Sequence, residues 1–155
     1  MSERETTAGL EFATVVFMDL VGYSRLPSPE RQAQQIRELQ EVVRGTDDFR
    51  RAEEAGDLLR LPTGDGMALV FFRDPVAAVR CAVQIAGALR QRPHLPLRIG
   101  IHHGPVHRLE DINANTNVSG GGINLAQRVM DCGEAGHVLL SGAVTALVGQ
   151  LGVWP

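Results

Sequence analysis

Several things are scarce in this sequence. It has 2 cysteines in 155 residues, too few for a disulfide framework. Cys81 and Cys132 read as buried thiols of a protein that works in a reducing cytoplasm. Aromatic residues make up 5% of the chain, so the core is aliphatic. No uninterrupted apolar run approaches the ~18 residues of a membrane span. The first ten residues, MSERETTAGL, lack the apolar centre of a secretory leader. Neither sign of charge dominates: 15 basic and 18 acidic side chains leave a net charge of −3, which excludes a general nucleic-acid binder. There is no internal repeat and no linker. What is present is 44% hydrophobic residues, enough for one packed domain. Residues 1–10 read as a flexible arm and residues 11–155 as that domain.

The chain alternates strand and helix signals. Phe12–Met18 is a short β-branched apolar run, a buried strand ending at Asp19. A tight turn, Asp19–Ser24, carries Gly22. Ser28 caps a helix with Pro29 at its first position and Glu30 in its first turn, running to about Arg44. Gly45–Asp57 reads as a charged loop. Leu58–Pro62 and Met67–Phe72 are strands joined by Thr63-Gly64-Asp65-Gly66, a hairpin signal because Asp-Gly tolerates positive φ. Asp74-Pro75 opens a second helix. Leu97–Ile101 is a strand, with Pro105–Leu109 as its hairpin partner. Glu110–Gly122, with Asn113, Asn115 and Asn117, reads as a long polar loop. Ile123–Met130 is a short helix, His137–Leu140 a strand, and Ser141 caps a last helix. This order predicts an α+β fold: a ferredoxin-like βαββαβ core with extra elements, its antiparallel sheet covered on one face by helices.

Few residues stand out chemically. Asp19 and Asp65 close neighbouring strands and project at one sheet edge. Paired carboxylates suit Mg²⁺ that also holds phosphates, although each taken alone reads first as a turn aspartate. Gly22 and Gly64 bare the backbone beside them, where phosphates can approach amides. Asn124 and Arg128, four apart, share a helix face and can brace a ribose and a phosphoryl transition state, or form an ordinary polar face. Arg98 in an apolar strand needs an anionic partner, structural or a ligand phosphate. His102 and His103 point to opposite faces of their strand, which makes them, with His107, poor candidates for a metal site.

Together these stretches resemble a known family. Phe17-Met-Asp-Leu-Val-Gly-Tyr-Ser24, Thr63-Gly-Asp-Gly66, Arg98-Ile-Gly-Ile-His-His-Gly104 and Ile123-Asn-Leu-Ala-Gln-Arg128 resemble, in order and spacing, the class III nucleotidyl cyclase catalytic domain over residues 12–148. The resemblance implies two Mg²⁺ or Mn²⁺ ions per site, held by Asp19, Asp65 and the Leu20 carbonyl. It implies a triphosphate wrapped by Val21, Gly22, Tyr23 and Ser24 and contacted by Arg98. Asn124 would orient the ribose and Arg128 stabilise the pentacovalent phosphorus. It also implies a head-to-tail homodimer whose sites combine the aspartates of one chain with the Asn and Arg of the other.

The sequence departs from the family at both base-reading positions. Adenylate cyclases place a lysine where this chain has Leu61, and an Asp or Thr where it has Asn117; guanylate cyclases use Glu and Cys there. Such a changed pocket is similar to that of bacterial pyrimidine cyclases of anti-phage signalling, which make cyclic UMP or cyclic CMP as second messengers. The family's final β-hairpin, which bears a phosphate-binding lysine, has no counterpart before Trp154-Pro155. The expected activity is conversion of a nucleoside triphosphate to a 3′,5′-cyclic nucleotide and pyrophosphate, with a pyrimidine favoured. The alternatives are an adenylate or guanylate cyclase with an unusual base pocket, and an inactive cyclase-like regulatory module.

Overall fold

A computed structural model describes residues 9–110 and 116–151. The expected arm lies outside the described residues except Gly9 and Leu10, and Leu10 already begins a strand. The expectation for Trp154-Pro155, and the loop residues Asn113 and Asn115, also fall outside them.

The first strand, β1 (Leu10–Leu20), lies near the centre of a six-stranded sheet. A short 3₁₀ turn (Tyr23–Arg25) leads to α1 (Pro29–Arg44) and α2 (Asp47–Glu54). The hairpin β2 (Leu58–Pro62) and β3 (Gly66–Phe71) is followed by α3 (Pro75–Leu89) and β4 (Leu97–Glu110). Then come β5 (Thr116–Ser119), α4 (Gly121–Asp131), β6 (Val138–Leu140) and α5 (Gly142–Gln150). The strand order is β2-β3-β1-β4-β5, so the ferredoxin-like core β2-β3-β1-β4 is as expected. All its pairings are antiparallel. Among the described residues the one parallel pair is β4 with β6, at Ile99–Ile101.

The helix starts follow from local chemistry. Ser28 Oγ accepts from the Arg31 amide at 3.2 Å, and Asp74 Oδ1 accepts from Val76 and Ala77 at 2.9 and 3.1 Å. Each cap satisfies amides that the first helical turn leaves free and stabilises it by about 1 kcal/mol.

Several expectations are corrected. Gly45–Asp57 is not a loop but contains α2. Asp47 and Asp48 favour its N-terminus, and Phe49 is buried in the main core. Phe49 alone contributes roughly 1.5–3 kcal/mol by leaving water, so one apolar residue outweighs the polar composition. Leu97–Ile101 and Pro105–Leu109 are not a hairpin but one continuous strand. β1 starts at Leu10 and offers an unbroken edge from Leu97 to His107, and Pro105 is exposed within it. The polar loop also shrinks, because Thr116–Ser119 pairs with His107–Glu110 as β5.

The helices do not all lie on one face. Along β1, Val16, Met18 and Leu20 face the larger core with α1, α2, α3 and α5. Ala13, Val15 and Phe17 face the other side, where α4 packs alone through Ala126 and Met130. Strand alternation divides the two sets. α4 lies so close that a Cβ at Gly100 would stand 2.1 Å from the Met130 amide nitrogen. Only glycine permits that approach.

Candidate active site

The alternation that places Phe17 under α4 also turns Asp19 and Arg98 to that face. They are direct cross-strand partners. Arg98 Nε donates to Asp19 Oδ1 at 2.7 Å and Nη2 to Oδ2 at 3.0 Å. This is a two-pronged, charge-assisted pair, and Asp19 is only 8% exposed. Arg98 Nη2 also lies 3.2 Å from Asp131 Oδ1 at the end of α4. Pairing with Asp19 is the chief reason the guanidinium is held even more firmly in its charged form.

Asp65 comes beside Asp19 through the backbone. Asp19 opposes Gly66 in the ladder, and the Leu20 amide donates to the Asp65 carbonyl at 2.9 Å. A Cβ at Gly66 would stand 2.0 Å from the Met18 carbonyl oxygen, so this join also requires glycine. Gly64 has φ +85° at the hairpin tip. Burial raises the affinity of the Asp65 carboxylate for its proton, and the charge of Asp19 adds to that; Arg98 works the other way.

The neighbouring turn is built as expected. Gly22 sits at φ 76° and opens the 3₁₀ turn at Tyr23. The Val21 amide is spent on the Pro96 carbonyl at 2.8 Å. Tyr23 leans on the main core, and Val21 and Ser24 are exposed. Arg25, which the sequence reading passed over, is an exposed cation at the end of this turn.

Asn124 and Arg128 lie on the exposed face of α4. They line an open groove of about 600 Å³ with Gly121, Leu125, Gln127 and Asp131. Among the described residues neither side chain has a hydrogen-bond or ion-pair partner. The base-reading candidates lie apart, on the two edge strands. Leu61 on β2 packs toward the α4 side of the sheet. It also borders a cavity of about 280 Å³ with Pro62, Gly66 and Met67. Asn117 on β5 opposes Leu109 and turns its Oδ1 to the Val118 amide at 2.9 Å. Another groove, about 670 Å³, runs along α1 and α3 and holds none of the expected site residues.

Asp131 was missed because the helix was expected to end at Met130. Its signal was a carboxylate at a helix C-terminus, where the helix dipole disfavours one. The histidines have structural partners. His102 Nδ1 pairs with Ser141 Oγ at 2.8 Å and His103 Nδ1 with Thr14 Oγ1 at 3.0 Å. Burial makes both rings harder to protonate. Among the described residues no three His, Cys, Asp or Glu side chains cluster as a metal site. Cys81 is buried and its thiol is pushed up to about 11 by burial. Cys132, in contrast, is exposed, because it follows the last turn of α4 and lies outside the packed stripe.

The donors at the Asp19 edge are oxygens only, which fits Mg²⁺ or Mn²⁺ carrying a phosphate ligand rather than a closed protein cage. Two further observations agree with that fit. Burial first, and the charge of Asp19 second, make a bare Asp65 carboxylate costly. Thr63 Oγ1, two residues before it, is a buried side-chain oxygen without a hydrogen-bond partner among the described residues.

Comparison with solved structures gives the architecture a precedent. The chain matches an adenylate/guanylate cyclase/hydrolase from Silicibacter pomeroyi at 28% identity and a TM-score of 0.68, over 94% of this chain and 84% of that one. It has the fold of the adenylate and guanylate cyclase catalytic domains. The adenylyl cyclase CyaB from P. aeruginosa matches at 22% identity and a TM-score of 0.71, over 92% and 82%. The guanylate cyclase domain of RhGC from Catenaria anguillulae, solved with GTP, matches at 22% and 0.71, over 89% and 82%. No family model and no curated protein matches the sequence. Among the described residues of this cyclase-fold chain, no helix is long and apolar enough to cross a membrane.

Proposed function

We propose that this chain is a nucleotidyl cyclase of the cytoplasm, converting a nucleoside triphosphate to a 3′,5′-cyclic nucleotide and pyrophosphate. The observation that carries the reading is the join of Asp19, Asp65 and Arg98 at one sheet edge, built by the backbone from three distant segments. Two carboxylates beside a guanidinium are what a metal-bound triphosphate requires.

In the reaction, the 3′-oxygen bonds to the α-phosphorus as the bond to the pyrophosphate oxygen breaks. The hydroxyl proton passes to solvent. Asp19 and Asp65, with the Leu20 carbonyl, would hold two Mg²⁺ or Mn²⁺ ions. Bound there, the ions supply charge neutralisation for the triphosphate and acidify the hydroxyl. Arg98 takes phosphate oxygens, and the Val21–Ser24 turn wraps them. Asn124 orients the ribose and Arg128 meets the charge that develops on phosphorus. Asn124 and Arg128 face outward from α4, so they serve the site of a second copy in a head-to-tail homodimer.

The base is a pyrimidine, UTP before CTP, and the product is a second messenger of phage defence. Leu61 offers no donor to a purine ring nitrogen, and Asn117, whose Oδ1 takes the Val118 amide, presents its NH2 rather than an acceptor for an adenine amine. A purine edge left unpaired costs about 1–3 kcal/mol, roughly ten- to a hundredfold in selectivity. The test is kcat/KM for ATP, GTP, CTP and UTP with Mn²⁺ on one preparation, with products identified by mass. UTP should lead. A purine ahead by about tenfold rejects the pyrimidine reading alone; no cyclic product from any nucleotide rejects the cyclase.

A further inference from the structure

Arg98 is the hub of a chain of three charged groups. Its Nε and Nη2 occupy both oxygens of Asp19, and the same Nη2 reaches Asp131. The Asp131 side chain is 50% exposed and that of Arg98 26%. Asp131 lies one helical turn beyond Arg128 on α4, so the bridge links that helix to the carboxylate edge. A cation entering between Asp19 and Asp65 and the guanidinium of Arg98 compete for the same oxygens. Releasing Arg98 would strand a partly buried charge, which is costly unless a second acceptor holds it. Asp131 is that acceptor, already in contact before any exchange.

We propose that Asp131 is a positioning residue that holds Arg98 when a divalent cation displaces it from Asp19. The inference rests on the proposed cation site. Arg98 offsets the charge of Asp19, and Asp131 makes the exchange cheaper by keeping the guanidinium paired throughout.

The test measures Mn²⁺ binding to the intact chain without nucleotide, by electron paramagnetic resonance of free Mn²⁺ and by calorimetry. Asp131→Asn should bind Mn²⁺ about two- to fivefold more weakly than wild type, the range of a half-exposed ion pair. Arg98→Gln should bind it roughly tenfold more tightly, since Asp19 no longer has to break charged hydrogen bonds. The decisive variant combines both. In the Arg98→Gln background, Asp131→Asn should have almost no effect, because its role runs through Arg98. Asp131→Glu should restore part of the affinity, and circular dichroism should show every variant folded. An unchanged affinity in Asp131→Asn overturns the proposal. So does an equal loss with and without Arg98, which marks a through-space charge effect only. Absence of Mn²⁺ binding in every variant overturns the cation site itself.

Discussion

Two regions carry the candidate chemistry, and they are built in opposite ways. At the end of β1, Asp19 is answered by Arg98 and Arg98 by Asp131, and Asp65 is brought beside them by the bond from the Leu20 amide to its backbone carbonyl. On the exposed face of α4, Asn124 and Arg128 project from a well-anchored helix without a partner among the described residues. The first region invests fold stability in holding charge. The second invests only a scaffold. A side chain without internal partners can be replaced at little cost to folding, whereas one inside a charged pair cannot.

The largest effects should appear at the first region. Asp19→Ala and Asp65→Ala should each lower cyclase activity by about a thousandfold or more, as loss of several kcal/mol of transition-state stabilisation dictates. Their stabilities should diverge. Asp19→Ala removes two charge-assisted bonds and leaves Arg98 only Asp131, and should cost about 1.5–3 kcal/mol in denaturant unfolding. Asp65→Ala relieves repulsion and should cost far less. Equal losses would remove the distinction between a paired and an unpaired acid.

A fourfold effect tests the second region. Arg128→Ala should be inactive yet unfold within about 0.5 kcal/mol of wild type. Mixed with Asp19→Ala, it should recover about a quarter of wild-type activity, because half the dimers are mixed and each has one complete site of two. No recovery despite proven subunit exchange would place the whole site within one chain.

The smallest effect is a pH dependence. The proton affinity of Asp65 is raised in the fold, so over that window the folded state holds more proton than the unfolded state. Stability therefore falls as pH rises from the ordinary aspartate range through the raised value. Asp65→Asn should melt about 1–2 °C above wild type near pH 7, and the gap should close on acidification toward the ordinary aspartate range. A gap that widens on acidification reverses the sign and removes the repulsion between the two acids.

Much of this was legible in the sequence. The Ser28, Asp74 and Ser141 caps, the Thr63–Gly66 turn and the ferredoxin-like order follow from local rules, because each depends on residues within a turn or two. The misses came from distant partners. α2 is polar in composition but is anchored by Phe49 in the main core. β4 passes through His103-Gly104-Pro105 because β1 supplies an edge there. At the site, Asp19, Asp65 and Arg98 were visible as types and spacings. That Arg98 clasps Asp19 rather than standing free, and that Asp131 joins them, depends on strand register and on the length of α4. Neither is written in any single segment.

The join at Leu20 and Asp65 has a consequence for how the protein comes into being. Asp19, Asp65, Arg98 and Asp131 enter the chain one after another, and each is silent until the next strand or helix has docked. Long-range contacts of this kind form late, after the loop-closure entropy of the intervening segments has been met. A nascent chain emerging from the ribosome can thus join the two carboxylates once β3 is made, gain Arg98 only with β4, and gain Asp131 last. The last link, Arg98 to Asp131, closes only when α4 has been synthesised and packed.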